Sequence, residues 1–367
     1  MAEPLKNMFS RQLLSSFSGQ VRFIWPDFDE NSFLSAVFDE HWPQLELKQR
    51  MRHIALCLRK VLPENYEAAL DVLVHTTTVM IAGQGEKMAF EYSFLPDFVE
   101  VFGLEHPDRS LQALETITRW SSAEFAVRPF LLRYPDQVYA QMLRWSEHLS
   151  PLVRRLSSEG FRPRLPWGMG IPALKRAPSP ILPVLENLKA DPAETVRRSV
   201  ANNLNDISKD HPELALEIAR RWSGHNPQTN WIVRHALRGL LKKGNATALA
   251  QFGFNQDADG ILVEDLTAPA SVPLGGDLEF HFRVKNTADT PHQVRLEYGI
   301  DYRTGSGKTS RKVFRIKETT LQPGQSESIR KRQRFIDLTT RKHYAGRHVL
   351  RVLVNGREMA DQVFTLV

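Results

Sequence analysis

Two periodicities divide the chain. From residue 4 to about 250, apolar positions recur every three or four residues, with Pro, Asp, Asn and Gly between the runs, which predicts amphipathic helices. Pro107-Asp108-Arg109 opens one run, with Leu111, Leu114, Ile117 and Trp120 on one face. Ala193 to Asp206 gives another: Val196, Val200, Asn203, Leu204 and Ile207 form a stripe, while Arg198, Asn202, Asn205 and Asp206 fall on a different one. After about Gln256 the period drops to two. Seven segments alternate: Ile261–Thr267, Leu278–Asn286, Gln293–Tyr302, Lys312–Glu318, Glu327–Phe335, His348–Asn355 and Gln362–Val367. Gly, Pro and Asn between them predict an immunoglobulin-like β-sandwich. The expected fold is mainly α plus a separate β domain, with boundaries at 1–255 and 256–367.

The helical part carries a weak repeat. Val153-Arg154-Arg155, Val196-Arg197-Arg198 and Val233-Arg234-His235 are spaced by 43 and 37 residues. That period fits a HEAT-like α-α solenoid, whose paired helices must stack to bury their apolar sides and whose concave faces commonly bind extended partners. Two stretches read as interruptions. Thr76–Phe90, with Gly83-Gln84-Gly85-Glu86-Lys87, lacks phosphate-loop spacing and reads as a loop. Phe161–Pro180 holds seven Pro and Gly residues around Trp167 and reads as a rigid, non-helical excursion.

Composition narrows the classes. The 42% apolar and 25% charged content is that of a folded chain, and no apolar run is long enough to span a membrane. Met1–Gln20 mixes charges into its apolar residues and reads as a folded helix, not a signal peptide. Cys57 is the only cysteine, so an intramolecular disulfide is impossible; it reads as a core residue in a reducing cytosol. The twelve His are scattered without metal-ligand spacing, and no dinucleotide fingerprint occurs, so neither metal nor cofactor is expected.

The net charge of +6 matters once mapped. Residues 303–357 hold 15 Lys and Arg against 3 Asp and Glu. Lys308, Arg311 and Lys312, then Arg330, Lys331 and Arg332, then Arg341 and Lys342 lie on strands or their joining loops, as phosphate contacts would. In the helical part, Trp120-Ser121-Ser122-Ala123-Glu124, if helical, sets an indole and a carboxylate on one face. Asp206 offers a second acid; Trp167 and Trp231 offer further aromatic faces; Arg197, Arg198, Arg234 and Arg238 offer cations. Such parts suit excision of a cationic base, because a carboxylate stabilises the oxocarbenium-like sugar and indoles favour cations.

The pieces Thr118–Phe130, Leu165-Pro166-Trp167-Gly168-Met169-Gly170 and Val196–Asp206 resemble those of AlkC-type DNA alkylation repair glycosylases, related to the HEAT-like AlkD proteins. The resemblance covers nearly the whole chain, including the immunoglobulin-like domain of one branch. It implies a monofunctional, monomeric, cytoplasmic bacterial enzyme, nucleoid-associated when bound to DNA. The implied substrate is duplex DNA carrying cationic lesions of the 3-methyladenine and 3-methylcytosine type, excised without base flipping. It further implies Glu124 as the catalytic acid facing the sugar, Asp206 as a second carboxylate, and Trp120 and Trp167 as aromatic walls. AlkD-like members place a tryptophan three residues before a late-helix arginine; here His235 precedes Arg238 and Trp231 lies a turn earlier. A non-catalytic HEAT-type scaffold for DNA or protein is the rival reading.

Overall fold

The computed structural model describes residues 3–257, 259–337 and 341–367. Among them, sixteen α-helices precede eight strands. Two compact units emerge. The first comprises Met1–Ala215 and Arg221–Ala236, and the second Leu216–Arg220 and Leu237–Val367. The division at Ala236/Leu237 therefore lies ahead of the expected boundary at 255/256. The short helices Arg238–Lys242 and Ala246–Gln251 group with the strands because Gln256 Nε2 donates to Gly244 O and Asn355 Nδ2 to Asn255 O.

Local chemistry starts the helices. Ser10, Asp29, Asn65 and Ser150 accept backbone N–H groups at their helix N-termini, Glu46 and Gln49 form a reciprocal capping box, and Pro107, Pro135 and Pro151 occupy first-turn positions. The N-terminal helix runs Arg11–Ile24, with Met1 and Ala2 outside the described residues. Residues Thr76–Gln84, expected as loop, instead complete the helix Tyr66–Gln84. Thr76, Thr77 and Thr78 donate their hydroxyls to the carbonyls of Val72, Leu73 and Val74, so the polar run costs the helix little. Gly85, at φ 76°, ends it.

The arginine repeat has a structural counterpart. Val153, Val196 and Val233 are all buried, on helices Pro151–Glu159, Glu194–Asp210 and Pro227–Ala236, and the middle helix packs on the other two. Arg154 Nη1 donates to the carbonyls of His148 and Leu149, six and five residues back; Arg197 Nη1 does the same to Asp191 and Pro192. The excursion around Trp167 is made of turns until the short helix Pro172–Arg176.

In the second unit, β1 (Ile261–Thr267), β3 (Asp277–Asn286) and β6 (Ser326–Arg334) form one sheet in the order β1-β3-β6. The other sheet has the order β2-β8-β7-β4-β5, built from β2 (Ser271–Val272), β4 (His292–Arg303), β5 (Thr309–Leu321), β7 (Gly346–Val354) and β8 (Arg357–Leu366). Alternation along β3 buries Leu278, Phe280, Phe282 and Val284 against Leu296, Ile300, Leu350 and Val352. β2 is too short to show a period, and was not expected. β7 and β8 meet at Asn355-Gly356, both at positive φ, as a two-residue hairpin turn requires. β4 is buried almost throughout because its second face carries ion pairs: Arg295 with Glu297 and Glu318, and Asp301 with Arg311 and Arg351.

Cys57 is buried, and burial pushes its thiol up to about 11, as a core position would. Among the described residues, no helix is long and apolar enough to cross a membrane.

Candidate active site

Glu124 stands in a tight turn, not on a helix. The helix Pro107–Ile117 ends before it, the next begins at Val127, and Ala123 N bonds the Thr118 hydroxyl across the bend. Main-chain bonds from Lys87 N to Arg119 O and from Ala89 N to Trp120 O tie the bend to the segment after Gly85. The expected indole–carboxylate face therefore does not form. Trp120 is wholly buried against Tyr92, with Lys87 Nζ 4.0 Å from its ring centroid. A ring with no exposed surface cannot meet a lesion, so Trp120 supports the turn from within.

The Glu124 carboxylate is mostly buried and held from one side. Its Oε2 accepts from Ser122 Oγ at 2.8 Å and pairs with Arg155 Nη2 at 2.7 Å, while Arg155 Nη1 donates to Ser122 Oγ at 2.9 Å. Among the described residues no donor reaches Oε1. The acid is thus oriented by a fixed cation, with one oxygen left for another partner. Its neighbours Ser122, Phe125 and Ala126 line, with Asp97 and Glu100, a cavity of about 10 Å³ to which Glu124 itself does not contribute.

Trp167 is the exposed aromatic. It is 64% exposed and sits at φ 62°, a conformation that non-glycine residues seldom adopt. Its loop is fastened by cations from the Glu124 side. Lys48 Nζ donates to Trp167 O and lies 4.5 Å from the Phe125 ring centroid. Arg128 Nε donates to Met169 O at 2.7 Å, and its Nη1 to Gly160 O at 2.7 Å. Arg128 is buried; burial, and then repulsion by Arg162, pull its guanidinium down to about 10. It remains charged at neutral pH.

Asp206 lies deeper. With Asn205, it is buried rather than on a polar face of its helix. Its Oδ2 accepts from Arg162 Nε at 2.9 Å and its Oδ1 from Lys209 Nζ at 2.8 Å. Arg162 also binds Glu159, whose other oxygen accepts from Ser199 at 2.6 Å. Both oxygens of Asp206 are thus engaged, which suits fixing Arg162 at the base of the Trp167 loop rather than touching a sugar. Trp231, 38% exposed, stacks on His235 at 5.0 Å.

The expected phosphate contacts divide. Arg197 spends its guanidinium on the carbonyls of Asp191 and Pro192, which makes it a fastener of its own repeat. Arg198 is exposed and, among the described residues, pairs only with Glu194 on its own helix. Arg234 and Arg238 are half-buried, each with an interaction partner. In the second unit, acids from outside the 303–357 stretch offset its charge: Asp301 and Glu358 hold Arg311, and Asp277 sits 3.4 Å from Arg332. Arg341 lies over the Tyr302 ring. Lys308, Lys312, Arg330, Lys331 and Lys342 are exposed. β5 and β6 are both edge strands, so Lys312 on β5 and Arg330 and Lys331 on β6 line sheet edges.

Arg128, Arg155, Arg162, Glu159 and Lys48 complete the site without having been singled out in the sequence. Two of them carried a signal: Arg155 as the third residue of the first Val-Arg-Arg repeat, and Arg128 within the piece Thr118–Phe130. Among the described residues, no group of three or more His, Cys, Asp or Glu could hold a metal ion.

Residues 262–367 match the family model described as "Uncharacterised protein YhaZ, C-terminal Ig-like domain". Over 360 residues the chain is 47% identical to the protein YhaZ of Bacillus subtilis (strain 168), covering 98% of each. It is similar along its whole length to a solved structure of the Pseudomonas fluorescens alkylpurine DNA glycosylase AlkC bound to DNA containing an abasic site analog. There the TM-score is 0.93 and the identity 38%, with both chains fully covered.

Proposed function

Because this chain belongs to the family of AlkC and YhaZ, we propose that it is a DNA glycosylase of alkylation repair. It hydrolyses the N-glycosidic bond of cationic alkylated bases, of the 3-methyladenine and 3-methylcytosine type, in duplex DNA. One observation supports this most: a carboxylate, Glu124, oriented by Arg155 through one oxygen, lies in the segment that Lys48 joins to an exposed indole, Trp167.

An N-alkylated cationic base is already a good leaving group, so the protein need not protonate it. As the bond to the sugar lengthens, positive charge grows on the sugar. Glu124 Oε1 stabilises that charge and aligns the attacking water or takes its proton. The Trp167 face attracts the cationic lesion, by roughly 0.5–2 kcal/mol. Asp206 acts through Arg162 on the loop that carries Trp167. The lesion is recognised within the duplex, without being flipped into a pocket. No cofactor is needed. The enzyme works as a monomer, in the cytoplasm on nucleoid DNA.

The test is direct. The purified chain is incubated with N-methylated duplex DNA in the presence of a chelator, and free methylated base is measured by chromatography. Release with accumulation of alkali-labile sites supports the reading. Tight binding to the lesion-bearing duplex with no release would establish the scaffold reading instead.

A further inference from the structure

The second unit holds a cleft of about 390 Å³ bordered by Lys242, Lys243, Gly244, Arg311, Gly356 and Glu358. Neither lysine was among the expected phosphate contacts. Their surroundings give them a specific role.

On one wall the charges balance among themselves. Glu358 accepts from Arg311 through Oε1 and from Arg351 through Oε2, while Asp301 accepts from the same two guanidiniums. Two carboxylates face two cations. On the other wall, Lys242 and Lys243 are exposed at the end of the helix Arg238–Lys242, and among the described residues no carboxylate pairs with either. The cleft therefore carries about two uncompensated positive charges.

The two walls are held together closely. Gly244 and Gly356 both lie at positive φ, and a Cβ on Gly356 would come within 2.7 Å of Gly244 Cα. Gln256 Nε2 bonds Gly244 O at 2.6 Å, and Asn355 Nδ2 bonds Asn255 O at 2.7 Å. The pinch fixes the turn that follows the lysines against the hairpin that carries Glu358. A cationic recess of preset shape suits a tetrahedral oxyanion better than a flexible surface lysine would, because less ordering is needed on binding.

We propose that this cleft is a phosphate site, which seats a backbone phosphodiester of the bound duplex between Lys242, Lys243 and the Arg311 wall. The choice of a DNA phosphodiester rests on the glycosylase reading; the oxyanion chemistry does not.

The full-length chain is treated with a lysine-acetylating reagent, and modification of Lys242 and Lys243 is read by mass spectrometry. It is read alone, with undamaged duplex, and with inorganic phosphate at matched ionic strength. Protection by duplex, and little by inorganic phosphate at equal phosphate concentration, is expected. Affinity for duplex is then measured across a salt series for K242Q/K243Q, whose log–log slope should be shallower by about 0.9 for each phosphate no longer neutralised. Equal protection by inorganic phosphate would overturn the duplex as the source while keeping the oxyanion site. Full modification of both lysines with duplex bound, or an unchanged slope, overturns the proposal. If the wild-type chain binds no duplex, the glycosylase reading fails; inorganic phosphate raised to saturating concentration then decides the cleft, protection upholding it and its absence refuting it.

Discussion

Arg128 and Met169 are 41 residues apart in sequence and meet through one 2.7 Å bond from Nε to the Met169 carbonyl oxygen. With the bond from Arg128 to Gly160 O, it holds both ends of the segment that presents Trp167. Replacing Arg128 by Met, which keeps much of the volume, should remove two charge-assisted bonds and cost about 3 kcal/mol of stability. Denaturant unfolding would measure this. Base release should fall further than stability explains at temperatures where the variant stays folded, because the aromatic wall is then unfastened. A variant as stable as the wild type would show that the clamp is idle.

Glu124→Gln keeps the size and the bond from Ser122 but removes the charge. Release of methylated base should drop by roughly 10²–10⁴-fold, with duplex affinity changed little. Single-turnover assays with excess enzyme separate the two effects. Undiminished release would remove Glu124 from the chemistry.

The backbone of Trp167 offers a paired test. At φ 62°, glycine is at ease where alanine is not. Trp167→Gly should therefore be more stable than Trp167→Ala by about 1 kcal/mol, a difference visible in thermal melts. Both should lose affinity for cationic lesions relative to undamaged duplex. If alanine is the more stable of the two, the left-handed conformation is not maintained in solution.

Arg197 was expected at a phosphate but fastens carbonyls. Arg197→Gln should lower the melting temperature and leave the salt dependence of duplex binding unchanged. A slope shallower by about 0.9 would restore it as a phosphate contact.

Acid should weaken the second unit at an identifiable place. Burial works against ionisation of Asp301, but its bonds from Arg311 and Arg351 outweigh that and hold its carboxyl below the usual 3.8. The unfolded chain then takes up this proton at higher pH than the folded one. The pair's contribution is complete above about pH 4 and fades as pH falls below that through the lowered value. Asp301→Asn should be destabilised at neutral pH by about 1–3 kcal/mol, with a shallower loss on acidification. Melting curves from pH 6 down to pH 3 would read both; parallel curves would contradict the ion-pair account.

What the sequence disclosed follows from the range of each interaction. Strands β3 and β7 were legible because one buried face imposes alternation along them. The break near residue 256 was legible as a change of period. The basic residues on strands and their joining loops were visible too, but not which strands form sheet edges, nor the acids beside them: Asp301 and Glu358 reach Arg311 only through strand pairing. Trp120 and Glu124 were misplaced for a local reason. Spacing of i and i+4 means a shared face only on a continuous helix, and the chain turns at Thr118–Ser121. The clamp on Trp167 was hidden altogether, since Lys48 and Arg128 find their carbonyl partners 119 and 41 residues away. No period encodes such pairings.

The lone thiol has a practical corollary. With Cys57 enclosed and its ionisation pushed to about 11, only on the order of one molecule in ten thousand carries a thiolate at pH 7. A cysteine engineered onto the exposed surface would thus react with maleimide dyes almost alone, without first replacing the native one. Fluorophores on the two units could then follow their distance during DNA engagement in a chain otherwise unaltered.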